Sequence, residues 1–303
     1  MQEAVFSSSV DEARATGVSR AGVGHTIAAW FTKTLLNRVG RPLADTAFTL
    51  LFPADCRICN EPLVQESRLP VCQKCRDSIV PIAGNLCPIC GERVISFSRL
   101  ETVPGPCGMC RRAAPAYSRA VAYGAFEDAL RETIHLLKYD RVLPAADFLG
   151  AKLDTTLAEL PSPQPYGWLV IPVPLHSRKL RQRGFNQSEL IARAAFKRQP
   201  LAALNRKCLV RQRETAPQAG LTRHQRRENI RGAFVVRDPA AVRGRDILLV
   251  DDVFTTGTKI SECARILRRA GAASVYAATV ARALKAGPNA DSIGMEREID
   301  RAA

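Results

Sequence analysis

Eight cysteines in four Cys-x-x-Cys pairs stand between positions 56 and 110, and they limit what this chain can fold into more than any other feature. The pairs are Cys56/Cys59, Cys72/Cys75, Cys87/Cys90 and Cys107/Cys110, with twelve residues between Cys59 and Cys72 and sixteen between Cys90 and Cys107. Two thiolates on one tight turn, matched by two from a second hairpin, satisfy tetrahedral zinc and leave no coordination position open. Sites of this kind are structural. The spacing predicts two zinc ions, one per consecutive set of four cysteines. A crossed arrangement uses the same eight residues in another order, and redox dithiols or an iron–sulfur cluster draw on the same residue type. The N-terminus lacks the basic start and apolar core of a secretory signal, which makes a disulfide framework the weaker explanation and a cytoplasmic location the expected one.

Between and around the pairs, residues 53–115 carry few large apolar side chains and many Pro and Gly, so this segment needs something other than its own core to hold it. The chain reads in five parts. Residues 1–23 are expected to be a disordered leader. Residues 24–52 read as helical, with Ile27, Trp30, Phe31, Leu35 and Leu36 at helical spacing before Pro42 interrupts. A helix packed on its own domain suits this stretch better than one lying on a membrane surface. The cysteine segment follows, then 116–282 as the larger domain, then 283–303 as a disordered tail. No run of about 18 apolar residues exists, so no membrane-spanning helix is expected.

Hydrophobic residues make up 46% of the 303, which allows the larger domain a sizeable core. Its pattern alternates strand and helix. Strands are expected at 117–123, 168–173, 247–251 and 274–281, and helices at 127–138, 145–157 and from about 186 to 196. A further helix carries Ile260, Cys263, Ile266 and Leu267 on one face, and Gly271 is placed to end it in the left-handed conformation. Nearly all-apolar short strands separated by helices imply an α/β fold with a parallel sheet flanked by helices and right-handed crossovers. Cys208 and Cys263 stand outside the pairs and read as small hydrophobes.

The net charge of +15 is unevenly placed. Between His176 and Gly232 fifteen Lys or Arg face three Glu, a surplus of twelve that attracts phosphate, whether on a small ligand or on a nucleic-acid backbone. The bland alternative is a solvated basic face.

The stretch 247–259, ILLVDDVFTTGTK, carries the most chemistry. A buried strand runs into Asp251 and Asp252, a hydroxyl- and glycine-rich turn follows, and a helix starts. Backbone N–H groups from Thr255 to Thr258 would sit at a helix N-terminus, where unpaired donors and the helix dipole attract phosphate. The hydroxyls of Thr255, Thr256 and Thr258 can add bonds, and Gly257 lets a ligand approach the backbone. Asp251 and Asp252 can accept bonds from two neighbouring sugar hydroxyls. A βα turn with a Thr-rich cap and no ligand has the same local pattern. No Walker loop and no dinucleotide-binding Gly-x-Gly-x-x-Gly is present.

This stretch resembles the 5-phosphoribosyl-1-pyrophosphate (PRPP) motif of type I phosphoribosyltransferases, with one departure: Lys259 replaces the motif's last Thr. Joined to the cysteine pairs, HLLKYD at 135–140, PVPLH at 172–176, RGFNQ at 183–187, TAPQAGL at 215–221 and NIRGAF at 229–234, it resembles the ComF family over about residues 45–282. These are competence-associated bacterial proteins with an N-terminal double zinc-ribbon head on a type I phosphoribosyltransferase-like body. The resemblance implies a pyrophosphate loop at Pro174, His176, Arg178 and Lys179. It also implies a mobile basic loop over the site, with Arg211, Arg213, Gln218, Arg223 and Arg227 in it, while Arg183, Asn186 and Gln187 contact ligand or fix the loop. Gly184 to Gln187 as a simple turn and helix cap is the competing reading. For an active member the resemblance implies displacement of pyrophosphate from ribose C1, with Mg²⁺ accompanying PRPP and no side chain acting as nucleophile. PRPP or another phosphoribosyl compound is the implied ligand. Single-stranded DNA and proteins of the competence machinery are implied partners, through a nucleic-acid-binding or scaffold role in which the PRPP site is degenerate.

Overall fold

The computed structural model of the chain describes residues 55–63, 67–94, 105–163, 167–199, 202–215 and 223–284. The expected leader 1–23, the helical segment 24–52, Gln218 and the tail beyond residue 284 lie outside the described residues. Among those described, no helix is long and apolar enough to cross a membrane.

The cysteine segment contributes two five-residue helices, α1 (Gln73–Asp77) and α2 (Gly108–Arg112), each beginning just after a cysteine. The alternating part then starts with β1 (Arg119–Ala125), α3 (Asp128–Lys138) and α4 (Ala145–Thr156). On α3, Leu130, Ile134 and Leu137 are buried at helical spacing. β2 (Leu169–Pro172) follows, every residue of it buried, then α5 (Ser177–Arg183) and α6 (Gln187–Ala195). Next come β3 (Ala203–Leu204), β4 (Leu209–Arg211), α7 (Arg223–Ile230) and β5 (Phe234–Val236). The remaining elements are α8 (Pro239–Val242), β6 (Asp246–Phe254), α9 (Thr258–Arg269) and β7 (Ser274–Arg282).

Five strands make one parallel sheet in the order β1-β7-β6-β2-β3, and β4 pairs antiparallel with β5 beside it. The expected α/β architecture is therefore the observed one. β6 lies in the middle and is apolar on both faces. Leu248 and Val250 pack into the core on one side with α3, α4 and α6, while Ile247 and Leu249 pack on the other with α9. On α9 the buried apolar residues are Ile260, Cys263, Ala264 and Leu267, one stripe. Gly271, at φ +97, follows the end of that helix as expected.

Two differences from the sequence reading bear on the site. β6 does not stop at the acidic pair: it continues to Phe254, because β7 pairs with it as far as Phe254 opposite Arg282. Asp251 and Asp252 therefore belong to a strand buried from Ile247 to Phe254. The stretch after Pro174, read as a loop, turns into α5 within three residues. His176 caps it, its Nδ1 accepting the Arg178 amide at 3.4 Å, and Gly184 closes it at φ +87.

The cysteine segment does not stand apart from this core. Cys56, Leu69, Val71, Cys75 and Ile79 belong to the cluster on one sheet face, and Cys87, Cys90, Cys107 and Cys110 to the cluster on the other. A segment too poor in apolar residues to fold alone borrows the sheet's two faces.

Candidate functional site

The four sulfurs of Cys56, Cys59, Cys72 and Cys75 lie within 4.8 Å of one another, and so do those of Cys87, Cys90, Cys107 and Cys110. The grouping is consecutive and not crossed. Individual separations are 3.9 Å for Cys56–Cys75, 3.6 Å for Cys59–Cys72 and 3.7 Å for Cys90–Cys107. Four sulfurs at about 2.3 Å from one tetrahedral ion stand about 3.8 Å apart, whereas a disulfide needs about 2.05 Å. Backbone amides point at the sulfurs: Cys72 N–H donates to Cys56 Sγ at 3.3 Å and Cys107 N–H to Cys87 Sγ at 3.2 Å. Burial raises the Cys56 and Cys87 thiols, but these amide bonds outweigh it and bring them down to about 6 and about 7. Burial and the neighbouring sulfurs push Cys75 and Cys110 up. Four thiolates so close together require a cation between them, and zinc fits the donor set. All four positions of each tetrahedron are filled by protein, so the sites hold structure and offer no open place for chemistry.

The second tetrad is tied to the sheet by Arg282, which is 3% exposed. Its guanidinium donates to the Cys90 carbonyl and pairs with Glu92 at 3.1 Å. The first is tied by Tyr123, whose hydroxyl donates to the Ile79 carbonyl at 3.2 Å.

The turn after β6 is built around Gly257. Its φ is +72, and a Cβ there would lie 2.5 Å from the ring of Phe254, so only glycine fits. Thr256 and Thr258 share a hydrogen bond between their hydroxyls at 2.9 Å. Among the described residues, none accepts a hydrogen bond from the backbone N–H groups of Thr255, Thr256, Gly257 or Thr258. These amides lead into the twelve-residue α9, whose dipole favours negative charge at this end.

The two carboxylates beside the turn are 1% exposed each and are both engaged. Asp251 Oδ1 accepts the Ser188 hydroxyl at 2.9 Å and the Asp252 amide at 3.1 Å, while its Oδ2 faces Lys259 Nζ at 2.8 Å. Asp252 pairs with Lys138, whose side chain is wholly buried. Burial, with the Asp252 charge added, lifts Asp251 to about 6 against the pull of Lys259. Burial acts to raise Asp252 as well, but the ammonium groups of Lys138 and Lys259 outweigh it and hold Asp252 well below the ordinary carboxylate range. Lys259 thus folds back onto the strand, against Asp251.

More cations converge than these carboxylates balance. Lys179 is pushed down to about 8 by burial, with the charges of Arg183, Lys259 and Lys138 adding to the effect. Burial lowers Lys138 too. Lys138, Lys179, Arg183, Lys259 and Arg211 all act electrostatically on Asp251 or Asp252.

The remaining residues singled out in the sequence have partners of their own. Arg183 donates to Gln187 Oε1 at 2.5 Å, both buried. Asn186 caps α6 through the Ser188 amide at 3.1 Å and donates to the Val173 carbonyl at 3.0 Å. RGFNQ therefore acts as a turn and helix cap that brings Ser188 to Asp251. Pro174 is half-buried and leads to His176, which bridges to Arg211 of β4. Arg178 is exposed and reaches Glu214 at 3.4 Å. Arg211 donates to the Thr215 hydroxyl and lies over Phe234, and Arg213 donates to the Asn229 and Arg231 carbonyls, each at 2.8 Å. Arg223 and Arg227 sit on α7, Arg227 exposed.

Three residues of the site were not assigned a role by the sequence reading. Lys138 was seen only as part of HLLKYD, although its place beside Leu130, Ile134 and Leu137 on the apolar face of α3 was a signal. Ser188 follows Asn186 and Gln187 with nothing to mark it. Arg282 is a lone charge closing an apolar strand.

A double zinc ribbon domain family matches residues 47–111, and a phosphoribosyl transferase domain family matches residues 189–294. The DNA utilization protein YhgH of Salmonella typhi is 33% identical over 242 residues, covering 78% of this chain and 100% of that protein. Competence protein F of Haemophilus influenzae is 28% identical over 226 residues, covering 70% and 96%. Competence protein ComFC of Bacillus subtilis is 24% identical over 221 residues, covering 70% and 84%.

Proposed function

The chain belongs to the competence protein F (ComF) family, and from that premise we propose that it is a phosphoribosyl-binding protein of DNA uptake and utilization. The larger domain takes PRPP or a related phosphoribosyl compound, its phosphate on the Thr255–Thr258 turn and its ribose toward Asp252. The observation that carries this reading is the charge imbalance at the turn: unpaired amides at a helix start, with Lys138, Lys179, Arg183 and Lys259 against only two carboxylates. A buried surplus of positive charge is costly until an anion neutralises it. The turn's free amides are where that anion would sit. The zinc ribbons serve as the clamp that keeps the cysteine segment on the sheet.

A second role has its own observation. Most cations of the basic window are exposed, among them Arg178, Arg181, Lys197, Arg198, Lys207 and Arg227, while those around the turn are buried or half-buried. Exposed cations of this kind suit the backbone of single-stranded DNA, which binds through many salt-sensitive phosphate contacts. The two roles are compatible in one molecule.

Isothermal titration of the full chain with PRPP and with ribose 5-phosphate tests the first role. Expected is saturable binding that Gly257→Ala weakens. An affinity for neither compound sinks it. Titration with a single-stranded oligonucleotide over a range of salt tests the second: affinity falling with salt and surviving Gly257→Ala supports a separate DNA surface, and no affinity at low salt removes it.

A further inference from the structure

The resemblance to PRPP-binding enzymes brings with it a divalent metal beside the ribose, and the residues present do not fit one. Mg²⁺ needs near-octahedral oxygen ligands and is usually held through one or two carboxylates together with substrate phosphates. On Asp251 the place a dication would need is already taken by a cation: Oδ2 makes no hydrogen bond, but the Lys259 ammonium stands beside it. Oδ1 already accepts the Ser188 hydroxyl and the Asp252 amide, and Oδ2 faces the Lys259 ammonium at 2.8 Å. Asp252 is paired with the buried Lys138.

We propose that this chain binds its phosphoribosyl ligand without a divalent metal, the Lys259 ammonium occupying the place on Asp251 that a metal would need. The inference rests on the phosphoribosyl reading of the turn. Lys259 stands at the one position where the motif departs from its usual Thr, in the first turn of α9, with its side chain 17% exposed. From there it reaches back to the strand.

Charge argues the same way. Lys138 and Lys259 already stand on the two carboxylates, their side chains 0% and 17% exposed. A dication placed beside them would meet two ammonium groups largely withdrawn from water, where like charges repel far more strongly than in bulk solvent. A phosphate ligand meets the opposite situation: its charge is neutralised by cations already fixed in the protein. The ammonium groups do what the metal does elsewhere, without requiring the ligand to bring one. Lys259 is a specificity-determining residue in this sense, since it selects for ligands whose phosphates arrive uncomplexed.

The experiment is a titration of the full zinc-loaded chain with ribose 5-phosphate, and separately with PRPP, in EDTA-treated buffer rigorously freed of Mg²⁺ and again with saturating Mg²⁺. EDTA is removed before the protein is added so that the ribbons keep their zinc. Expected for the wild type is an affinity that changes by less than about twofold between the two conditions, and for Lys259→Thr a gain of about tenfold or more on adding Mg²⁺, roughly 1.4 kcal/mol. A wild-type chain that binds only with Mg²⁺ overturns the proposal, whatever the variant does. Binding of neither compound in either buffer, with zinc content and urea midpoint normal, overturns the phosphoribosyl reading itself. A direct check uses Mn²⁺ and its electron paramagnetic resonance signal on the unliganded wild type: no Mn²⁺ taken up is expected, and uptake lost on Asp251→Asn overturns the proposal.

Discussion

The guanidinium of Arg282 lies over the ring of Phe254 with 4.4 Å to the ring centre, and this stack joins the second ribbon to the turn at Gly257. On one side Arg282 holds the Cys90 carbonyl and Glu92. On the other Phe254 fills the space that a side chain at position 257 would need. Tyr117 closes the ring edge-on, 6.1 Å from Phe254. The second cysteine hairpin and the turn at Gly257, far apart in sequence, therefore share one buried stack.

Arg282→Met keeps most of the apolar stem but leaves Glu92, 12% exposed at its side chain, without its partner. Breaking a buried ion pair from one side costs about 3 kcal/mol or more. Urea unfolding should show that loss, and Arg282→Met/Glu92→Gln should recover most of it. A single variant within about 1 kcal/mol of wild type is the outcome against this account.

Gly257→Ala should cost about 1–2 kcal/mol for the left-handed backbone alone, and more because Phe254 is held under Arg282 and cannot yield. Adding Phe254→Leu should relieve the clash and leave the backbone cost. The measurement is the urea midpoint of both variants together with their affinity for ribose 5-phosphate. If the double variant is no more stable than the single one, Phe254 is not the obstacle.

What could be read in the sequence divides by the range of the forces involved. The cysteine tetrads were legible because tetrahedral thiolate geometry acts between residues close in the chain. The strand at 247–251 and the helix carrying Ile260, Cys263 and Leu267 were legible because burial imposes a period. α5 was not, since residues 177–183 show no apolar stripe and the helix depends on His176 and Gly184 at its ends. The extension of β6 to Phe254 was hidden because it comes from pairing with β7, which hydropathy does not encode across two aspartates. Lys259 stands out in the sequence only as a departure from the motif's Thr, and the folded turn is what shows Asp251 within 2.8 Å of it.

The consecutive grouping of the cysteines has a direct consequence for metal content. Cys59 and Cys72 belong to one tetrad. Cys59→Ser/Cys72→Ser should therefore lose one zinc and keep the other, as read by mass spectrometry under native conditions. A crossed arrangement places these two residues in different sites and predicts the loss of both. Two zincs in the wild type and one in the double variant are the expected values, following from one closed tetrahedron per four thiolates.

Lys138 is the residue most exposed to loss of its partner, because its side chain is wholly buried and burial already disfavours its charge. Lys138→Met strands Asp252 without its nearest cation, and a cost of about 3–5 kcal/mol is expected in thermal or urea unfolding. Lys138→Met/Asp252→Asn should be less destabilised than Lys138→Met alone. Additive losses in this double-mutant cycle would show that the two side chains do not act as a pair.

Lys179 gives the site a pH dependence whose direction follows from its surroundings. Burial, reinforced by Arg183, Lys259 and Lys138, pushes its ammonium down to about 8. A phosphate ligand favours the charged form and so raises that value in the complex. Below about 8 the group is protonated with or without ligand, and its contribution to affinity is fully present. As the pH rises past that point, the free protein loses the proton and must regain it to bind, so affinity falls by up to about tenfold per pH unit. Binding of ribose 5-phosphate measured from neutral to alkaline pH should weaken above about pH 8. Lys138 is also pushed down, so Lys179→Gln separates the two: it should weaken binding at neutral pH and remove the decline that begins near 8. A decline that persists unchanged in Lys179→Gln assigns it to another group, and a wild-type profile flat through this range shows that Lys179 does not meet the phosphate.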